Sequence, residues 1–186
     1  MREERDSDLS LVRAAKTGDR GAFQALVQRY ERRIYGVALG ILRNAEDARD
    51  ACQEAFMRIH RRLGGFDGEA AFFTWIYRIT VNTCIDELRK RRPEQRELDD
   101  TMPSGEPSPI DVLDSQELRE QIANALDCLS WAHRTVLVLR ELEGLSYDKI
   151  ADVMGCPKGT VMSRLFHARK RMQELLSPHR AAALAA

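Results

Sequence analysis

The chain has 186 residues, 44% of them hydrophobic and 31% charged, with 29 basic and 29 acidic side chains and a formal net charge of zero. That length allows one ordinary domain or two small ones, and the composition is that of a soluble, folded, helical protein. A zero average would argue against a nucleic-acid partner, but the charges are segregated: Arg78 to Arg92 carries net +3, and Pro93 to Glu117 carries net −7.

The N-terminal MREERDSDLS lacks the apolar stretch of a signal peptide, and no run of about 18 apolar residues occurs, so an intracellular protein without membrane insertion is expected. Asp8 to Lys16 reads as a short helix closed by Thr17-Gly18-Asp19. A second helix is predicted from about Gly21 to Leu42, with Phe23, Leu26, Val27, Tyr30, Ile34, Val37, Ala38 and Ile41 at three-four spacing. Asn44 caps a third that runs to about Arg62, and Asp47 stands three residues on as in a capping box. A fourth runs from about Glu69 to Arg91 and stops at Pro93.

Pro93 to Ile110 holds four prolines and almost no large apolar side chains, and it reads as a linker because it has too little surface to bury to offset ordering. Four more helices are predicted: Val112 to Leu129, Trp131 to Glu143, Ser146 to Met154 and Lys158 to Leu176. A frayed Ala-rich end follows. The expected fold is all-α, two small helical domains joined by a flexible acidic linker: 8–92, a linker at 93–113, 114–177, and a tail at 178–186. Cys52, Cys84, Cys128 and Cys156 are isolated, with no CxxC or Cys/His cluster, so no metal, cofactor or disulfide is expected.

Ser146 opens a short helix, Gly155-Cys156-Pro157 makes a tight turn, and a cationic helix follows. This is the helix-turn-helix pattern, whose second helix enters the major groove. Lys158, Gly159 and Thr160 at the helix start are placed to meet phosphate. Ser163, Phe166 and His167 would face base edges, and Arg164, Arg169 and Lys170 would hold the backbone. The pattern alone suits a repressor, a response-regulator output domain or a sigma factor equally.

Along Ala45 to Arg62, Asp47, Asp50 and Glu54, followed by Arg58 and Arg61, lie opposite an apolar face of Ala48, Cys52, Ala55, Phe56 and Ile59. Chemistry alone favours a solvated face with local charge pairs over a ridge for a basic partner helix. The fourth helix is apolar all round, and Phe73, Trp75 and Tyr77 precede Arg78, Arg89, Lys90, Arg91 and Arg92. Aromatic surface beside cations suits single-stranded nucleic acid, by stacking and charge, while core packing accounts for Phe72, Ile76 and Ile79 and is an equally open reading for the other aromatics.

Three strings carry a resemblance: LVRAAKTGDRGAFQALVQRYERRIYGVALGILRNAEDARDACQEAFMRIHRRL, FFTWIYRITVNTCIDELRKRR and ALDCLSWAHRTVLVLRELEGLSYDKIADVMGCPKGTVMSRLFHARKRM. In this order and spacing they resemble bacterial extracytoplasmic-function (group 4) sigma-70 factors of the sigma-E-like kind, over roughly Leu9 to Arg92 and Ser115 to Leu176. The resemblance implies a cytoplasmic, non-enzymatic specificity subunit that binds core RNA polymerase and directs promoter-specific initiation, of a stress or envelope regulon under an anti-sigma factor. It implies that Asp47, Asp50, Gln53 and Glu54 dock on the β′ clamp helices, with a further contact to the β flap. It implies that Phe66, Phe73, Trp75, Tyr77, Arg78, Asn82, Arg89 and Arg92 meet the opened −10 element, holding a flipped base. Lys158, Thr160, Ser163, Arg164, Phe166, His167, Arg169 and Lys170 would read the −35 duplex, with Met162 and His167 standing where family members often carry arginine. The acidic linker would run through the polymerase's basic channel. The rival reading is a stand-alone helix-turn-helix repressor or activator. An enzyme fits poorly, because the four histidines lie apart and no nucleophile, metal or phosphate-loop constellation appears.

Overall fold

The computed structural model describes residues 2–68, 71–91 and 115–185, with side-chain surroundings for 7–68, 71–90 and 118–177. The expected linker and Arg92 lie outside the described residues. Eight α-helices and one 3-10 turn at Leu63–Gly65 make up the described chain: α1 Arg2–Lys16, α2 Arg20–Leu42, α3 Ala45–Arg62, α4 Phe72–Arg91, α5 Ser115–Asp127, α6 Trp131–Glu141, α7 Tyr147–Met154 and α8 Lys158–Ala185.

Side-chain caps set the starts of four helices. Asp19 accepts from Ala22 N, Asn44 from Glu46 N and Asp47 N, Ser130 from His133 N and Ser146 from Lys149 N, each satisfying first-turn donors. Helix α1 starts at Arg2 rather than Asp8 and α4 at Phe72 rather than about Glu69, and two C-terminal ends also differ from the sequence expectation. First, α6 stops at Glu141 rather than Glu143, because Gly144 takes a φ of 65° and the turn closes with Leu145 N donating to Leu139 O at 3.1 Å. Second, α8 continues past Leu176 to Ala185, where a frayed tail was expected. Pro178 lacks the N–H that would satisfy the Glu174 carbonyl, and the Ser177 hydroxyl donates to that carbonyl instead, at 3.1 Å.

Helices α1 to α4 form one bundle around Val12, Leu26, Ile34, Ile59, Phe72 and Ile76, all nearly inaccessible. Its polar anchor is Asp8, 2% exposed, whose carboxylate accepts from Arg29 Nη1 at 2.6 Å and from the Tyr30 hydroxyl. In the C-terminal unit, α6, α7 and α8 pack on one another and α5 lies against α8. The apolar circumference of α4 is explained by its neighbours: α3, α2 and, from the C-terminal unit, α7.

A second core runs through both units, joining Val37, Ile41, Tyr77 and Val81 to Val136, Leu139, Ile150 and Leu165. Close approach is permitted at Gly40 of α2, where an added Cβ would sit 2.7 Å from Val138 Cγ2. Polar contacts ring this seam. Arg134 Nη1 donates to Ile41 O at 2.9 Å, Arg43 pairs with Asp127 at 2.9 Å, and Glu143 accepts from Arg33 Nε at 3.0 Å and from the Tyr77 hydroxyl.

Candidate functional site

Three surfaces collect the residues singled out by sequence. The first is a groove of about 580 Å³ between α3 and α4, lined by Asp50, Gln53, Glu54, Met57, Arg58, Asp86 and others. Ala48, Cys52, Ala55 and Ile59 turn inward, so helical spacing leaves Asp50, Gln53 and Glu54 on the outer face. Asp47 stands one turn earlier on the same helix and does not line the groove. Arg58 ties the two walls together, with Nε to Glu54 Oε1 at 2.8 Å and Nη1 to Asp86 Oδ2 at 2.7 Å. Its guanidinium holds the Glu54 carboxyl below the usual carboxylate range. Asp86, Glu87 and exposed Met57 are additions that the sequence reading missed. Asp86 and Glu87 are the only acids of the fourth helix, and Met57 follows Asp50 by seven residues on the same face; those were the available signals.

The second surface belongs to α4, and the structure divides its assigned residues. Arg78, Asn82 and Arg89 are exposed, and with half-buried Trp75 they fall on one stripe at spacings of three, seven and fourteen residues. Phe73 and Tyr77 point elsewhere, toward the C-terminal unit. Tyr77 is fully buried, and its hydroxyl reaches Glu143; burial, more than that hydrogen bond, raises its pKa well above the ordinary value. Phe73 is half-buried, with the Lys149 ammonium of α7 4.5 Å from its ring centroid. Phe66 is 3% exposed and packs edge-on to Phe72 and tilted against Trp75, so in this arrangement its ring is a core side chain. Side-chain spacing does not reveal this covering, which depends on how two distant segments pack.

The third surface is α8. Gly155 takes the left-handed conformation at φ 62°, and Pro157 O accepts from Thr160 N and Val161 N to start the helix. Val161, Leu165 and Ala168 are buried, which sets Ser163, Phe166 and Lys170 outward; Phe166 is 64% exposed. His167 is also exposed, its ring edge-on to Phe166 and to buried His133. Thr160 and Arg164 are half-buried toward the inner side. Lys158 and Arg169 lie eleven residues apart on one flank, each paired with an acid of an earlier helix: Asp148 at 2.9 Å and Glu141 at 2.7 Å. Among the described residues no group of His, Cys, Asp or Glu could hold a metal ion, and no helix is long and apolar enough to cross a membrane.

A cationic helix-turn-helix unit seated on a bundle with an acidic groove and an aromatic-cationic helix defines a two-unit DNA-binding protein. Comparison with known proteins makes the assignment specific. Residues 26–94 match sigma-70 region 2, and residues 119–172 match sigma-70 region 4. The RNA polymerase sigma-H factor of Pseudomonas aeruginosa is 38% identical over 185 residues, covering 93% of this chain and 95% of that protein. The ECF RNA polymerase sigma-E factor of Escherichia coli K12 is 37% identical over 183 residues, covering 92% and 95%. The solved structure of CnrH in complex with the cytosolic domain of CnrY superposes with a TM-score of 0.70 at 27% identity, covering 92% of this chain and 97% of that one. The sigma factor RpoE of Bartonella quintana, in complex with the anti-sigma factor NepR, gives 0.66 at 26% identity, covering 83% and 96%. The chain belongs to the sigma-70 family of RNA polymerase sigma factors, in its extracytoplasmic-function group: a non-enzymatic factor that binds RNA polymerase and promoter DNA to initiate transcription.

Proposed function

We propose that the groove between α3 and α4 is where this factor docks on core polymerase, with Asp50, Gln53, Glu54 and Asp86 meeting a basic helical element such as the β′ clamp helices. The observation that carries this reading is the Arg58 bridge, which fixes carboxylates from both walls at one opening. Charge complementarity steers association and selects the partner more than it supplies bulk affinity. The α4 stripe of Trp75, Arg78, Asn82 and Arg89 meets the opened −10 strand, and the outer face of α8 reads the −35 duplex. Phe73 and Tyr77 join strand capture only after α6 and α7 leave them. An anti-sigma factor controls the protein, as the solved complexes of its structural relatives suggest. The protein works in the bacterial cytoplasm on a stress or envelope regulon, and the acid-rich segment 93–113 is the part that meets the polymerase's basic channel.

The test of docking is the double reversal Asp50→Lys with Glu54→Lys. Helical content by circular dichroism stays at the wild-type level, because both side chains face solvent, while co-purification with core polymerase is lost. Undiminished co-purification would place the docking surface elsewhere.

A further inference from the structure

Arg169 is one of the cations of α8 assigned to DNA, yet it is not free. Its Nε and Nη2 both donate to Glu141 Oε1, at 3.1 and 2.7 Å, and the nearby Tyr147 side chain also favours its charged form. Tyr147 is itself fixed: the Arg140 guanidinium stacks 5.2 Å from its ring centroid, and Arg140 Nη1 donates to Leu145 O at 2.7 Å. The end of α6, the start of α7 and the middle of α8 therefore converge on one guanidinium.

Stability does not account for this pair. Arg169 and Glu141 side chains are 47% and 52% exposed, a setting in which an ion pair contributes little. Glu141 is also the last residue of α6, where the negative end of the helix dipole disfavours a carboxylate. The acid stands at a position that local energetics would give to a cation. What it does accomplish is directional: with two N–H groups held on Glu141, the rest of the five-donor fork points along one heading, and the unit charge is offset until another anion joins it. Lys158, on the same flank, carries Asp148 in the same way. Lys170, on the outer face, has no ion-pair partner among the described residues.

We propose that Glu141 is a specificity-determining residue for the upstream promoter duplex, acting through Arg169. It removes the indiscriminate attraction Arg169 would exert on any phosphate chain and leaves the interaction that needs a correctly placed backbone oxygen. This rests on the reading of α8 as the −35 helix. Counterion release makes the effect measurable, since each phosphate contact contributes about 0.9 to the slope of log affinity against log salt.

The experiment uses the full chain assembled with core polymerase. Two duplexes are compared over a salt series: an upstream element selected by the wild-type holoenzyme from a random library, and an unrelated sequence of equal length. Glu141→Gln is expected to raise binding to the unrelated duplex about 5-fold, steepen its salt slope by about one unit, and change binding to the selected duplex less, so that the specificity ratio falls. Its melting temperature stays level or rises, opposite to the loss of a structural pair. Glu141→Asp restores the wild-type ratio, and in an Arg169→Gln background Glu141→Gln has no effect. If Arg169→Gln weakens binding but Glu141→Gln leaves slope and ratio untouched, the inference fails while the −35 reading stands. If Arg169→Gln also changes nothing, this flank does not touch DNA and both fail.

Discussion

Replacing Gly40 with alanine tests the seam between the two units with a single methyl group. The added Cβ would lie 2.7 Å from Val138 Cγ2 and 3.1 Å from Cγ1, against an ordinary carbon contact of about 3.5 to 4.0 Å. Val138 sits in a helix, where a β-branched side chain has essentially one rotamer and cannot swing aside, so the backbones must separate. Overpacking of this size costs about 1 to 3 kcal/mol. Alanine also favours helix over glycine by about 1 kcal/mol, but α2 is helical whether the units touch or not, so that gain drops out of the comparison. The balance between touching and parted units therefore shifts by about 5- to 150-fold toward parted. Small-angle X-ray scattering reads this as a larger radius of gyration for Gly40→Ala, and Val138→Ala in the same chain, by clearing the space, returns it toward wild type. An unchanged radius in the single variant, with no response to the second substitution, would refute the claim that α2 and α6 meet at this distance in solution.

Asp8→Ala strands the Tyr30 hydroxyl and loosens Arg29, and it should lower stability by about 2 kcal/mol, less than a fully buried pair because Arg29 is 39% exposed; a melting temperature that does not move would show that the anchor is idle. Burial pushes the Cys52 and Cys84 thiols up from 9.0 to about 11 and about 12, so folding favours their neutral forms. Their contribution is complete below pH 9 and is lost as pH rises through about 11 to 12, which chemical denaturation across the alkaline range will show as falling stability. In native protein half-buried Cys128 and Cys156 should react with a thiol reagent before either; equal rates would contradict the packing. On α8, Lys170→Ala should weaken all duplexes alike and flatten the salt slope by about one unit, whereas Ser163→Ala and Phe166→Ala should alter sequence preference. A uniform loss from all three would count against base readout.

Much of this architecture could be read from local chemistry. Asn44 and Ser146 announced their helices because a cap is decided by neighbouring donors, and Gly155 marked the turn because few residues accept its backbone angles. The outward face of α8 followed from spacing, since Val161, Leu165 and Ala168 leave Ser163 and Phe166 nowhere else to go. The end of α6 was harder: Leu142 keeps the apolar spacing going to Glu143, whereas the helix stops at Glu141 ahead of the turn at Gly144. The chain beyond Leu176 read as a frayed end, because the Ser177 hydroxyl that takes up the Glu174 carbonyl is a three-dimensional fact. The covering of Phe73 and Tyr77 by a segment some seventy residues away, and the Arg58 bridge that brings Asp86 into the groove, depend on tertiary packing that no window of sequence contains.

Lys149 above Phe73 has a cellular consequence on the proposed reading. An aromatic face that can stack on one opened strand can stack on any loose nucleotide run, and a bacterium is crowded with messenger fragments. With an ammonium from its own chain resting there, and the neighbouring phenol buried, these two rings are withheld from passing transcripts while the units touch. On that reading the pair becomes available only in the presence of the enzyme that makes use of it.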